Sequence, residues 1–393
     1  MSGARAVVTW SPVIMTGTRT TRRTRTDDRI RTEGTTRITA RRRATRPSAV
    51  LLAVLAIVVA AGCATTATGS GSGAAPATGS TPVGTNPPGS VVPASTHATG
   101  PSAGCTAGTK AQPGKANETL TSGGKERAYE LDIPAGYDGT KPYAVVFGLH
   151  SLTVDYRIVP GMSGFADMNP TYDFIVVSPS GLISTVPYWN AAPAADNYDV
   201  TFLTELLDHV EATLCVDTAR VFSVGMSNGA QMSSLLACRL PDRIAAIAPI
   251  AGVEFNEPCT GAPVPVIAFH GVADPIVPYA GGGLNSVTIA NQNFYKGTVP
   301  AGVATPTGVD ESMKRWAAHN GCGPDFVETR VSPEVRKRTW PQCKAATVIY
   351  LVDNGGHAWP GKPQPSFEKS FGHGTTEIDA TSLMFAFFFD HQS

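Results

Sequence analysis

Residues 221–232 read VFSVGMSNGAQM. An apolar run from Val221 to Val224 meets a serine held between two glycines, and Met232, Leu235 and Leu236 then follow at helical spacing. Strand, glycine-bounded turn and helix in that order predict a sharp strand-to-helix connection. The glycines let it close, and the serine at its apex is pushed into a strained, exposed position. Gly225-Met226-Ser227-Asn228-Gly229 therefore marks Ser227 as a candidate nucleophile. The helix N-terminus behind it offers unpaired N–H groups to a developing anion. The pentapeptide alone fits an ordinary turn equally well, so its surroundings decide.

Further continuous apolar runs lie at Tyr143–Leu149, Phe174–Val177, Ile244–Ile250, Val264–Phe269 and Thr347–Val352, while Tyr129–Ile133 alternates. Runs of this kind are buried on both faces, as in parallel sheets. Helical spacing separates them. Leu203, Leu206, Leu207, Val210 and Leu214 follow Asp199 as an expected N-cap, Val309–Asn320 is a second helix, and Ile378–His391 a third with Asp379 as cap. The alternation predicts an α/β chain with a mostly parallel central sheet and helices on both faces. Ligands of such sheets bind beyond the carboxyl ends of the strands.

Two more residues sit at such ends. Val264–Phe269 runs into HGVADPIVPY, placing Asp274 just past the strand, with a proline fixing the turn. Thr347–Val352 runs into DNGGHAWPG, placing His357 on a glycine-flanked loop. The chain order Ser227, Asp274, His357 is that of an α/β-hydrolase triad. Asp353 reads as a turn residue, and His150 and His270 as loop-holding groups. The backbone N–H of Asn228 is one expected oxyanion donor. The second is expected from Ser151 or Leu152, after YAVVFGL. No Cys-x-x-Cys or ligand-spaced Cys/His pair is present, so no metal is expected.

The formal charge is zero, with 31 basic and 31 acidic residues, but it is unevenly spread. Residues 1–62 hold 12 Arg, no Lys and 3 acidic residues, so the remainder is at −9. That argues against a nucleic-acid partner for the domain. Residues 1–62 read as a targeting segment, with an apolar stretch from Ala49 to Gly62 of signal-peptide length. The AAGC sequence ending at Cys63 resembles a bacterial lipobox, with Ala60 where leucine is usual, which makes Cys63 a candidate lipidation site. Residues 63–104, almost all Gly, Ala, Ser, Thr and Pro, are expected to form a disordered tether, and 105–393 one folded domain. Its six cysteines, Cys105, Cys215, Cys238, Cys259, Cys322 and Cys343, predict disulfides in an exported protein. Six cysteines allow 15 pairings.

Three segments together, CVDTARVFSVGMSNGAQMSSLLACRLPDRIAAIAPIAG, FHGVADPIVPYAGG and GGHAWPG, resemble the secreted feruloyl esterase and polyhydroxybutyrate depolymerase-like esterases, a carbohydrate esterase family one type with actinobacterial lipoprotein relatives. The resemblance implies an α/β-hydrolase, Ser227, Asp274 and His357 as the triad, and no cofactor. It also implies the disulfides Cys238–Cys259 and Cys322–Cys343, and with them Cys105–Cys215. His150-Ser151 stands where relatives carry His-Gly, which bears on the second oxyanion donor. The expected partner is an ester of a polysaccharide or polyester, reached by a monomer at the cell surface or outside the cell, with membrane contact only through a lipid at Cys63. Trp189, Trp359 and Tyr279, with Tyr188, Phe294 and Tyr295, are candidate substrate contacts. A polyester depolymerase, or a non-catalytic binding lipoprotein on the same scaffold, are the alternatives.

Overall fold

The computed structural model describes residues 99–390 apart from 107–110, 184–185, 257, 283–302, 304 and 367. The expected targeting segment, Cys63, most of the tether, and Phe294 and Tyr295 lie outside the described residues. The strands are β1 (Gly114–Ser122), β2 (Lys125–Ile133), β3 (Tyr143–Leu149), β4 (Phe174–Pro179), β5 (Leu182–Ile183), β6 (Pro187–Tyr188), β7 (Val216–Met226), β8 (Ala246–Ile250), β9 (Val266–Gly271), β10 (Val327–Ser332), β11 (Val335–Thr339) and β12 (Thr347–Val352). The helices are α1 (Val159–Ser163), α2 (Tyr198–Thr213), α3 (Asn228–Arg239), α4 (Val309–His319), α5 (Glu368–Phe371) and α6 (Ala380–Asp390), with short 3₁₀ turns between.

Ten strands form one sheet in the order β1-β2-β4-β3-β7-β8-β9-β12-β11-β10. The middle six, β4 to β12, are parallel, and an antiparallel pair closes each side. The parallel centre is what the apolar runs predict, because β3, β4, β8, β9 and β12 are buried along their whole length. The sequence reading omits β1, β10 and β11. β1 and β10 are mostly exposed and polar, and β11 is half-buried but carries Arg336, Lys337 and Arg338, so none of the three has the apolar signature.

Apolar side chains cover both faces. On one, Leu206, Leu207 and Val210 of α2, Met232 and Leu235 of α3 and Trp316 of α4 pack with Val145 and Ile247. On the other, Met384, Phe385 and Phe388 of α6 pack with Val146, Phe222 and Phe269. Helix α2 is capped by Asn197, whose side chain accepts from the N–H groups of Asp199 and Val200, rather than by Asp199. Asp199 turns inward and pairs with buried Arg127 at 2.5 Å. Asp379 does cap α6, accepting from the Ser382 N–H at 2.8 Å.

The fold begins before the expected tether boundary at 104. Ser102 donates its N–H to Val216 O at 2.8 Å, and Pro101 bridges to Asp217. The disulfides are Cys105–Cys215, Cys238–Cys259 and Cys322–Cys343, the pairing that the resemblance implies.

Candidate active site

Ser227 stands between the end of β7 and the start of α3 with φ 58° and ψ −121°. A side chain with positive φ is strained, typically by about 1–3 kcal/mol. The surroundings hold it there. Its N–H donates to Ile250 O at 2.8 Å, and its carbonyl accepts from Ala230 and Gln231. The two glycines are required by close approach. A Cβ on Gly225 would lie 2.2 Å from Gly229 O, and one on Gly229 would lie 2.2 Å from Leu149 O. The helix start thus presses against β3, which brings the loop after β3 beside the serine.

Asp274 follows β9 and His357 follows β12, and these strands are neighbours. The two loops are tied by a hydrogen bond from Ala273 N–H to Gly355 O at 2.9 Å. Asp274 Oδ2 meets His357 Nδ1 at 2.8 Å, and Oδ1 accepts from the N–H groups of Ile276 and Val277 at 2.8 and 2.9 Å. This geometry puts the proton on Nδ1 and leaves Nε2 as the acceptor nitrogen. Burial alone would raise the Asp274 pKa. The neighbouring His357 and the hydrogen bonds outweigh it and hold the carboxyl below its ordinary value. The backbone of the His357 loop is held from its far side, His357 N–H donating to Phe371 O and Gly356 N–H to His373 O.

Ser227 and His357 line one cavity of about 780 Å³, together with Ser151, Leu152 and Asn228. One wall is the segment after β3, including Ile158 and Met162, and the other includes Ile276, Trp359 and Phe371. The lining is mainly apolar, with Asp155, Arg157, Lys362 and Glu368 among its charged members. Arg157 is already engaged by Asp155 at 2.5 Å, and Lys362 by Asp379 at 3.1 Å.

The structure brings Ser227, Asp274, His357, Asn228, Ser151 and Leu152 together, but it moves three expected substrate contacts away. Trp189 is fully buried beneath the site and does not line the cavity. Tyr279 turns its hydroxyl to Asp310 and Arg338, also outside the cavity. Tyr188 is likewise absent from the lining and bonds to the Tyr198 hydroxyl at 2.7 Å. The reason is the same for all three. A tryptophan or tyrosine carries a polar tip that finds a partner inside the fold as readily as at a site. Trp359 does line the cavity, with its indole N–H donated to Thr381 at 3.0 Å. Ile158, Met162 and Phe371 carry no motif, and only the packing reveals them.

The other strand-end histidines hold loops. His150 Nε2 accepts from Gly181 N–H at 2.8 Å, so Nδ1 donates to Ser151 O at 2.8 Å. Burial depresses its pKa to about 4. His270 donates to Val277 O at 3.0 Å. Asp353 pairs with Arg330 and Arg336 on the surface. Among the described residues, no group of three or more His, Cys, Asp or Glu side chains is placed to hold a metal ion, and no helix is long and apolar enough to cross a membrane.

A mostly parallel central sheet with helices on both faces, and a strained serine at a strand-to-helix turn that shares a cavity with an aspartate-paired histidine, is the architecture of the α/β-hydrolase class. The sequence matches the family described as Esterase PHB depolymerase across residues 183–278. Feruloyl esterase C of Emericella nidulans is 36% identical over 188 residues, 44% of this chain and 64% of that protein. Feruloyl esterase D of Neurospora crassa is 33% identical over 290 residues, 70% of this chain and 88% of that protein. Among solved structures, the acetyl xylan esterase from Aspergillus awamori covers 64% of this chain and 97% of its own at 15% identity, with a TM-score of 0.47. The chain belongs to the feruloyl esterase and polyhydroxybutyrate depolymerase-like esterase family, and is a carboxylic ester hydrolase.

Proposed function

We propose that the chain is a serine esterase of the feruloyl esterase type, acting at the cell surface or outside the cell on aromatic or short acyl esters linked to a polysaccharide. The observation that carries this reading is the Asp274–His357 pair at 2.8 Å beside a cavity shared with strained Ser227. In this reading His357 Nε2 takes the Ser227 proton as Oγ attacks the ester carbonyl, and Asp274 stabilises the imidazolium. Negative charge on the carbonyl oxygen is met by the Asn228 N–H, which at the first helical position has no intrahelical partner. A second N–H comes from Ser151 or Leu152. Thr153 and Val154 are engaged elsewhere, with Pro187 O and Ser151 O. His357 returns the proton to the leaving alcohol, and a water then attacks the acyl-enzyme with the same base.

The apolar cavity suits an acyl group larger than acetyl. Purified wild type and Ser227→Ala are compared on methyl ferulate, short nitrophenyl esters, acetylated xylan and a polyhydroxybutyrate film. Hydrolysis of methyl ferulate, abolished in Ser227→Ala, is the expected outcome. Turnover of the film alone would shift the reading to the polyester depolymerase, and no ester hydrolysis at all would end it. Anchoring at Cys63 belongs to the same proposal, supported by the AAGC sequence. Radioactive fatty acid fed to cells is expected to label the wild type and not Cys63→Ser.

A further inference from the structure

We propose that Asn228 and Trp189 are positioning residues that lock the loop after β3 to the turn carrying Ser227, and so fix the spacing of the two oxyanion donors. The inference rests on the esterase reading above. The Asn228 carboxamide does not cap its own helix. It reaches sideways and takes both backbone groups of Trp189, accepting from its N–H at 2.7 Å and donating to its carbonyl at 3.0 Å. The indole of Trp189 lies under the loop after β3 and donates to His150 O at 3.0 Å. The His150 ring sits against the indole with centroids 5.0 Å apart and is itself bonded to Gly181 and Ser151.

The residues on either side of Trp189 are tied down as well. Pro187 O accepts from Thr153 N–H at 2.9 Å, and Asn190 N–H donates to Asp199 Oδ2 at 2.8 Å. Asp199 is in turn paired with Arg127, and both are buried. A buried polar network of this kind, with its groups paired, resists deformation. One path therefore runs from the Asn228 side chain through Trp189 to His150, and its two ends are the two segments that supply oxyanion donors. Ser151, in place of a more pliant glycine, adds a direct bond from its hydroxyl to Met226 O at 3.2 Å.

Donors set this way act on the charge that develops in the transition state and not on bound substrate, so loosening them lowers kcat and spares KM. The test uses Trp189→Phe, which keeps the ring and loses the indole N–H, and Asn228→Asp, which keeps acceptance from Trp189 N–H and loses the donated bond. Each is assayed on methyl ferulate and p-nitrophenyl acetate, with active sites counted by fluorophosphonate titration so that misfolded protein is not scored. Phenylboronic acid, whose tetrahedral adduct carries an anionic oxygen, reports on the oxyanion site directly. The expected result is a kcat per titrated site lowered about ten- to a hundred-fold, with KM within about two-fold and boronate affinity weakened in step. Unchanged kcat and boronate affinity per titrated site in both variants would overturn the inference while leaving the esterase reading intact. A wild type that hydrolyses no ester would remove both.

Discussion

At the scale of single residues, the proposed triad assigns Asp274 a role that one isosteric substitution tests. Asp274→Asn keeps the shape but favours the wrong imidazole tautomer, and kcat is expected to fall on the order of 10³–10⁴-fold with KM little changed, read by steady-state kinetics. Two other buried groups contribute to the pH dependence of stability, with opposite sign. His150 has its pKa depressed from 6.5 to about 4, so the stability it confers is complete above 6.5 and is lost as pH falls through 4. Glu254, after β8, is 4% exposed and accepts from the N–H and hydroxyl of Thr307 at 3.1 and 3.0 Å. Burial raises its pKa from 4.5 to about 7, so its contribution is complete below 4.5 and is lost as pH rises through 7. The two slopes offset each other in between. Glu254→Gln keeps an acceptor for Thr307 and removes one slope, and its stability relative to wild type is expected to improve by up to about 3 kcal/mol from pH 4.5 to 7.5. Denaturant titrations at the two pH values check this, and a pH-independent difference would contradict it. The placement of Ser227, Asp274 and His357 just after β7, β9 and β12 was legible in the sequence, because each follows an apolar run. The grip of Asn228 on Trp189 was not, since a carboxamide has no preferred partner until the fold supplies one.

At the scale of elements, the turn after β7 tolerates no side chain at its flanks. Gly225→Ala would push a methyl into Gly229 O, and an overpacking penalty of about 1–3 kcal/mol is expected. Calorimetry should show a lower thermal midpoint together with lost activity, because the collision and the serine share one turn. The parallel strands were readable from sequence for a simple reason, that burial on both faces leaves no place for polar residues. The outer strands were not. In β11 (VRKRT) most side chains are charged, and Arg336 and Arg338 find partners across the sheet in Asp353, Glu328 and Asp310. The capping of α2 was misplaced by two residues because Asn197 and Asp199 are equally good caps, and only the buried Arg127 claims one of them.

At the scale of the whole molecule, the three disulfides should not contribute equally. Cys105–Cys215 spans 110 residues and Cys322–Cys343 spans 21. Loop-closure entropy gives the long one about 4–5 kcal/mol and the short one about 3. Cys105→Ser with Cys215→Ser is therefore expected to lower the denaturant midpoint more than Cys322→Ser with Cys343→Ser, and an equal loss would contradict the ordering. The long bridge also has a mechanical side. Tension applied to the chain ahead of Cys105 does not first reach edge strand β1, which could be peeled away one hydrogen bond at a time. It crosses the sulfurs to Cys215 and arrives at the root of β7, where parallel strands on both sides share the load in shear. The strand that receives the pull is the one that leads into Ser227.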